Sequence, residues 1–225
     1  MSASQTRAHD LRRGDSLLSA RAKEAGRALL APVVRLAVAL HLTPNTITIL
    51  GFAVVAGASV VVGSGNLLAG ALILTAGSLL DAVDGALARA TGAGSSFGSF
   101  LDSTLDRAAE ALLFGGIMAY YLRTAADPTM PVLLALVALA GSFMVSYTRA
   151  RAESIGVTAS VGLAPRMERL VLVFGGIGLA GLGFGFALIG ALVVVAILSV
   201  ATAVQRIWHV HRLTNQPTRE NEQGG

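Results

Sequence analysis

The sequence contains no cysteine, and charged residues make up only 13% of its 225 residues. Without cysteine the chain can form no disulfide, bind no metal through sulfur and use no thiolate chemistry, so any bound metal must have oxygen or nitrogen ligands. Soluble domains are roughly one quarter charged. Here 54% of the residues are hydrophobic, which is typical of a protein that lies in a lipid bilayer.

Aromatic residues are also scarce, at 5%, and no stacking aromatic pattern accompanies the basic residues. The formal net charge of +4 comes from arginines at the edges of apolar segments. That placement indicates anionic lipids or phosphorylated substrates as partners, and no nucleic acid. The first thirty residues are too polar for the apolar core of a cleavable signal peptide. We therefore expect the N-terminus to be retained in the cytosol.

Apolar stretches recur along the chain and predict an all-α membrane protein with six transmembrane helices. The predicted spans cover about 45–63, 67–89, 98–122, 132–153, 168–182 and 186–209. Thr43 and Pro44 precede the first span as an N-cap and a proline at the first helical position. Gly-Ser-Gly-Asn at 63–66 predicts a tight turn between the first two spans.

Four regions follow from this pattern. We expect a disordered tail over 1–15, an N-terminal interfacial amphipathic helix over 16–41, a six-span domain over 42–212 and a second disordered tail over 213–225. A helix packed on the protein is the alternative for 16–41, because an amphipathic pattern alone does not separate the two. Arginines are concentrated in both tails and in the loops after the second and fourth spans, so both termini are predicted to lie on the cytosolic side of the cell membrane.

Four aspartates stand inside the apolar segments, where charge is costly. They are Asp81, Asp84, Asp102 and Asp106. Spacings of three and four residues place each pair on one helix face, and the short loop between the two helices lets the pairs converge. Carboxylates grouped in low dielectric repel one another. Arg89 and Arg107 are the nearby arginines, and they cannot balance four aspartates plus Glu110.

Divalent cations would supply the missing positive charge. Hard cations prefer oxygen ligands, and carboxylates from facing helices can build paired metal sites. The pattern predicts Mg²⁺, or Mn²⁺, and two such ions could clamp a pyrophosphate. Gly85 leaves one helix face open to a ligand, and Arg89, one turn further on, could bind a phosphate bidentately.

The residues from 81 to 106 fit the pattern D-x2-D-G-x2-A-R-x8-G-x3-D-x3-D at every fixed position. This pattern is the signature of the CDP-alcohol phosphotransferases, and the sequence resembles that family over nearly the whole chain. The resemblance implies that an acceptor hydroxyl attacks the β-phosphorus of CDP-diacylglycerol and expels CMP. It further implies two metal ions held by the aspartates, with Asp106 as both a ligand and the general base. The implied CDP-lipid ligands are Asn45, Thr46, Ile47, Thr48, Gly85, Arg89 and Ser95.

Arginines at the cytosolic ends of three predicted spans indicate a bound anion. The segment 146–153 and the pair Glu168-Arg169 resemble the branch of the family that makes phosphatidylinositol phosphate, and its archaeal counterparts. By that resemblance, the phosphate of inositol phosphate is bound by Arg149, Arg169 and Arg206. The sequence departs from this branch at Pro165, where an acidic residue is expected before Arg166. Glycerol 3-phosphate is the alternative acceptor.

Two other functions, a divalent-cation transporter and a structural membrane subunit, fit the sequence less well. A divalent-cation transporter would need polar residues continuing to the far side of the membrane, but beyond Asp106 the third predicted span carries only Glu110 before it becomes apolar. The predicted active site therefore opens to the cytosol. A structural membrane subunit would leave the aspartates and Gly85 unexplained.

The pairs Gly115-Gly116 and Gly175-Gly176 permit close helix contact and, with the family resemblance, indicate a homodimer.

Overall fold

The computed structural model describes residues 30–159 and 161–215, and within these ranges it contains seven helices and no strand. The helices are α1 (Leu30–Ala39), α2 (Pro44–Gly63), α3 (Leu67–Thr91), α4 (Ser96–Thr124), α5 (Thr129–Ser154), α6 (Arg166–Gly181) and α7 (Phe186–Thr214). The predicted all-α architecture is confirmed. The predicted tail over 1–15, the predicted helix over 16–29 and residues 216–225 lie outside the described ranges.

Local sequence signals set the ends of the helices. Thr43 Oγ1 accepts a hydrogen bond from the backbone N–H of Thr46 at 3.2 Å, and α2 begins at Pro44, as an N-cap followed by proline predicts. The turn between α2 and α3 places Gly65 at a φ of +100°, in the region that favours glycine. Both predicted features are confirmed.

The last helix is longer than its apolar stretch. α7 continues to Thr214, past the predicted end of the sixth span at 209. In this last turn, the guanidinium carbon of Arg212 lies 3.5 Å from the ring centroid of Trp208, four residues earlier. Such a cation–π contact between neighbouring positions on a helix face stabilises the additional turn.

Four of these helices are long and apolar enough to cross a membrane. They are Pro44–Gly63, Leu67–Thr91, Thr129–Ser154 and Phe186–Thr214. α4 has 29 residues, but the charged residues between Asp102 and Glu110 lower its hydropathy. α6 has only 16 residues. The chain is thus a multi-pass membrane protein by the length and composition of its helices, and all six predicted spans coincide with helices.

The chain divides into two compact units. The first contains the described residues up to Gly51 and residues 78–105, and its buried core consists of Ala37, Ile47, Val83 and Leu87. The second contains residues 52–77 and the chain from Asp106 onward. Its fully buried side chains include Val62, Leu74, Phe114, Ile117, Ile177, Leu188 and Leu192.

Small residues allow close helix contacts within the second unit. A Cβ atom added at Gly176 would lie 2.6 Å from the Cβ of Ala191, and one added at Gly116 would meet the backbone of Ser59. Added Cβ atoms at Gly115 and Gly175 would meet no described atom within 4 Å. One glycine of each pair therefore packs within the chain, and the homodimer remains a prediction.

Candidate active site

The first unit holds a buried carboxylate near the end of α3. Asp84 is 8% exposed, and Thr48 Oγ1 donates a hydrogen bond to its Oδ2 at 2.6 Å. A hydroxyl that donates to a carboxylate forms a charge-assisted hydrogen bond, which is shorter and stronger than one between neutral groups. Thr48 comes from the first turns of α2, so this contact connects the two helices. It gives Thr48 a defined place at the site.

Two further aspartates of the first unit approach one another closely. Asp81 on α3 and Asp102 on α4 each offer a carboxylate oxygen, and these two atoms lie within 4.8 Å of one another. Oxygens on opposite sides of one Mg²⁺ are about 4 Å apart, since each bond is about 2.1 Å long. The two carboxylates therefore fit a hard divalent cation. Asp106 follows Asp102 by one turn of α4 and lies on the same helix face.

An open pocket surrounds Asp84. It is lined by Pro44, Asn45, Thr48, Asp84, Gly85, Ala88, Ala93, Gly94, Ser95, Gly98, Ser99 and Asp102. Three of the predicted CDP-lipid residues, Thr46, Ile47 and Arg89, are not among these lining residues. The side chain of Ile47 is buried in the core of the first unit, and Thr46 Oγ1 lies 2.8 Å from Thr43 Oγ1 in the helix cap. Both residues belong to the pocket's scaffold, since they hold the start of α2 in place.

Gly85 and Arg89 lie side by side on the same face of α3. A Cβ atom added at Gly85 would be 3.4 Å from Arg89 Nη1, which is ordinary van der Waals contact. A methyl group at position 85 would therefore not clash with the protein, and the lack of a side chain at Gly85 leaves space beside the helix. Because Gly85 also lines the pocket, that space is available to a ligand.

We expect Gly85→Ala to raise the KM for the CDP-lipid at least tenfold, because the added methyl group would occupy space that the ligand uses. The same variant should melt within a few degrees of the wild type, since alanine is favoured over glycine in a helix by roughly 1 kcal/mol. Gly57→Ala, in α2 and outside the pocket lining, is the matched control, because a Cβ atom added there would meet no described atom within 4 Å. Steady-state kinetics and thermal melting in detergent test this, and an unchanged KM would remove Gly85 from the binding site.

The signature glycine at position 98 has a different role. A Cβ atom there would lie 2.9 Å from Asn45 Oδ1 and 3.1 Å from Ser95 Oγ. Ser95 Oγ also accepts a hydrogen bond from the backbone N–H of Gly98 at 2.9 Å, as an N-cap of α4 does. The missing side chain lets both predicted ligand residues reach the pocket. Ser95 thus caps a helix and lines the pocket.

Asp106 belongs to the second unit and has a partner that the sequence analysis overlooked. Arg166 Nη1, at the start of α6, lies 2.6 Å from Asp106 Oδ2, whereas Arg107 Nη2 lies 3.9 Å away. The expectation that Arg89 and Arg107 are the arginines nearest the aspartates is therefore wrong for Asp106. Arg166 follows Asp106 by sixty positions, and no local pattern connects them.

The predicted acceptor arginines occupy different environments in the second unit. Arg169 is 1% exposed, and its Nη1 donates to the carbonyl of Ala164 at 2.9 Å. Arg206 is 8% exposed and donates from Nε to the carbonyl of Val161 at 2.8 Å, and from Nη1 to the carbonyl of Val145. Arg149 is more than half exposed and pairs with Glu153.

These arginines nevertheless sense one another's charge. The charged groups near Arg169 are Glu110, Arg107, Arg206 and Arg166, and those near Arg206 are Arg149 and Glu153. Among the buried charged side chains described in the second unit, two are arginines, Arg169 and Arg206, and one is a carboxylate, Glu110. Such an arrangement is suited to an anion, and the acceptor role of these arginines stays a prediction.

The model of the family described as CDP-alcohol phosphatidyltransferase matches residues 41–210. Curated relatives include a phosphatidylinositol phosphate synthase of Corynebacterium glutamicum, 34% identical over 192 residues, which are 85% of this chain and 88% of the relative. An archaetidylinositol phosphate synthase of Pyrococcus horikoshii is 43% identical over 175 residues, covering 77% of this chain and 86% of the relative.

Solved structures of the phosphatidylinositol phosphate synthase of Mycobacterium tuberculosis have the same fold. One, in complex with manganese and citrate, matches with a TM-score of 0.76 at 34% identity, over 81% of this chain and 88% of that chain. Another, with CDP-DAG bound, also gives a TM-score of 0.76 and 34% identity, over 81% and 94%. Together with the aspartate signature, these matches favour the transferase over the transporter and the structural subunit. The chain is an enzyme that belongs to the CDP-alcohol phosphatidyltransferase family.

Proposed function

We propose that this enzyme transfers the phosphatidyl group of CDP-diacylglycerol to inositol phosphate, giving phosphatidylinositol phosphate and CMP. The observation that carries this assignment is that, among the described residues of the second unit, two arginines, Arg169 and Arg206, are buried with a single buried carboxylate, Glu110. An anionic acceptor compensates that charge, whereas a neutral acceptor such as serine or inositol does not. The names of the relatives, a phosphatidylinositol phosphate synthase and an archaetidylinositol phosphate synthase, support the same acceptor.

We assign the four aspartates Asp81, Asp84, Asp102 and Asp106 as ligands of Mg²⁺ or Mn²⁺, two ions in each active site. A divalent cation there supplies Lewis acidity and neutralises the pyrophosphate of the CDP-lipid. The hydrogen bond from Thr48 orients Asp84 at the pocket. The manganese complex of the mycobacterial relative supports a site of this type.

Asp106 acts as the general base. It accepts the proton of the acceptor hydroxyl as the oxygen attacks the β-phosphorus, and CMP leaves with the electrons of the broken P–O bond. Arg166 fixes the carboxylate through its Oδ2. The CDP moiety lies in the pocket formed by Asn45, Thr48, Gly85 and Ser95, with Arg89 beside Gly85 as a phosphate ligand.

The acceptor phosphate is assigned to Arg149, Arg169 and Arg206. Two donor nitrogens of Arg206 already bind backbone carbonyls, so this residue also connects Val161 to Val145 on α5. Arg149 is accessible from solvent and is available for an incoming anion.

We further propose that six membrane spans follow an interfacial N-terminal helix, that both termini and the active site lie in the cytosol, and that the protein is a homodimer.

Detergent-purified protein, CDP-diacylglycerol and Mg²⁺ test the function. CMP release is measured with inositol phosphate, glycerol 3-phosphate, inositol or serine supplied in parallel. We expect kcat/KM for inositol phosphate to exceed that for the neutral acceptors by at least a hundredfold, since losing a buried charge-assisted contact costs about 3 kcal/mol or more. A preference for glycerol 3-phosphate would show that the proposed acceptor is wrong. No CMP release with any of the four acceptors would contradict the proposed reaction.

A further inference from the structure

A buried chain of hydrogen bonds, the polar relay, joins three helices of the second unit and includes the assigned ligand Arg169. Ser142 on α5 donates from Oγ to Glu110 Oε1 on α4 at 2.6 Å. Arg169 on α6 donates from Nε to the same Ser142 Oγ at 3.0 Å. Glu110 and Ser142 are 3% and 0% exposed, so water does not compete for these bonds.

The chemistry of the three groups fixes the direction of every proton in this relay. A carboxylate only accepts hydrogen bonds and a guanidinium only donates them, so the single Ser142 proton must point at Glu110. The hydroxyl lone pairs then face Arg169. Glu110 is held from its other oxygen by Arg107, whose Nη1 lies 3.3 Å from Oε2. The relay therefore has one orientation.

The guanidinium of Arg169 is held by two edges, Nε to Ser142 and Nη1 to the carbonyl of Ala164. Because the group is planar, these two bonds also fix the direction of Nη2. Nη2 is buried and has no hydrogen-bond partner among the described residues. A buried, charged donor without a partner is costly, and a bound water, ion or ligand would satisfy it.

We propose that Glu110 and Ser142 are positioning residues for the acceptor: through the relay they aim Nη2 of Arg169 at the acceptor phosphate. This inference rests on the proposed function and adds two residues to it that touch neither substrate. Glu110 stabilises the charge of Arg169, and Ser142 transmits its position to Nε. Removing the relay leaves the arginine in place but frees its guanidinium to rotate.

Ser142→Ala tests the relay in the full-length protein. We expect the KM for inositol phosphate to rise about tenfold, because a charge-assisted hydrogen bond that orients the arginine is lost. The KM for CDP-diacylglycerol and kcat should stay within about twofold, since the relay acts on acceptor binding alone. Glu110→Gln, which keeps the shape but removes the charge, should change the same KM in the same direction.

Ser199→Ala is the matched control. Ser199 is also 0% exposed, and its Oγ has no hydrogen-bond partner among the described residues, so this variant removes an equally buried hydroxyl outside the relay. All kinetic constants of the control should stay within about twofold of the wild type. An unchanged KM for inositol phosphate in Ser142→Ala, or equal losses in kcat and both KM values, would overturn the positioning role.

A melting experiment separates this inference from the proposed function. Inositol phosphate should raise the melting temperature of the wild type by more than that of Ser142→Ala at the same concentration. If the wild type is active only with glycerol 3-phosphate, both measurements are repeated with that acceptor, and a selective loss in Ser142→Ala supports the relay while the proposed acceptor fails. A wild type that is neither stabilised nor active with either anion contradicts both.

Discussion

Asp106→Asn is expected to lower kcat for CMP release about a thousandfold, the contribution typical of a general base. Asparagine has the shape of aspartate but cannot accept the acceptor's proton, and its neutral amide also removes the ion pair with Arg166 at 2.6 Å. The KM for CDP-diacylglycerol should change far less. Single-turnover CMP release, followed beside thermal melting, separates lost chemistry from lost folding.

The control for this variant is Asp127→Asn. Asp127 lies in the turn after α4, and the end of that helix at Thr124 is about 27 Å along the helix axis from Asp106 at roughly 1.5 Å per residue. Its Oδ1 accepts the backbone N–H of Thr129, which lowers the pKa of the carboxyl group, so the control also removes a full charge at neutral pH. Wild-type kinetics are expected there. Activity of Asp106→Asn within tenfold of the wild type would exclude Asp106 as the base.

Asp81→Asn is expected to lower the metal-dependent rate of CMP release at least about one hundredfold, because the divalent cation loses a charged ligand. The partner carboxylate of Asp102 would remain within 4.8 Å of the amide, so the fold should persist. Manganese stabilises a folded protein that binds it, by about 2.7 kcal/mol at one hundred times its Kd. Wild-type protein should therefore melt at a higher temperature with MnCl₂ than with EDTA, and Asp81→Asn should not.

Asp127→Asn, which alters an exposed carboxylate, should keep the full manganese-dependent shift. Adding back Mg²⁺ or Mn²⁺ to protein treated with EDTA should restore CMP release in the wild type and in this control. An Asp81→Asn variant that is stabilised by manganese as strongly as the wild type would contradict the assignment of Asp81 as a ligand.

Features encoded by neighbouring residues were predictable from the sequence. The cap at Thr43, the proline after it and the turn around Gly65 each depend on a few adjacent residues, and all three appear as predicted. The aspartate signature was equally legible, because spacings of three and four residues determine which side chains share a helix face. The sequence therefore places each pair of aspartates on one helix face, and their role as metal ligands stays a prediction.

Contacts between distant segments were not predictable in the same way. Arg166 pairs with Asp106, and Ser142 bridges Glu110 and Arg169, through packing between helices that no short pattern specifies. The direction of the Ile47 side chain was likewise not predictable. The family resemblance covers its whole segment, but helical geometry turns this side chain into the core while Thr48, one position later, faces Asp84.

The burial of Arg169 has a consequence for how the protein is made. α6 has only 16 residues and begins Arg166-Met-Glu-Arg169, so as an isolated segment it would enter a bilayer poorly. The side chains that satisfy Arg169 and Glu110 come from α4 and α5, which leave the ribosome first. We therefore expect α6 to be delivered into a partly assembled bundle, and chains that stall before α5 is complete to become substrates for membrane quality control.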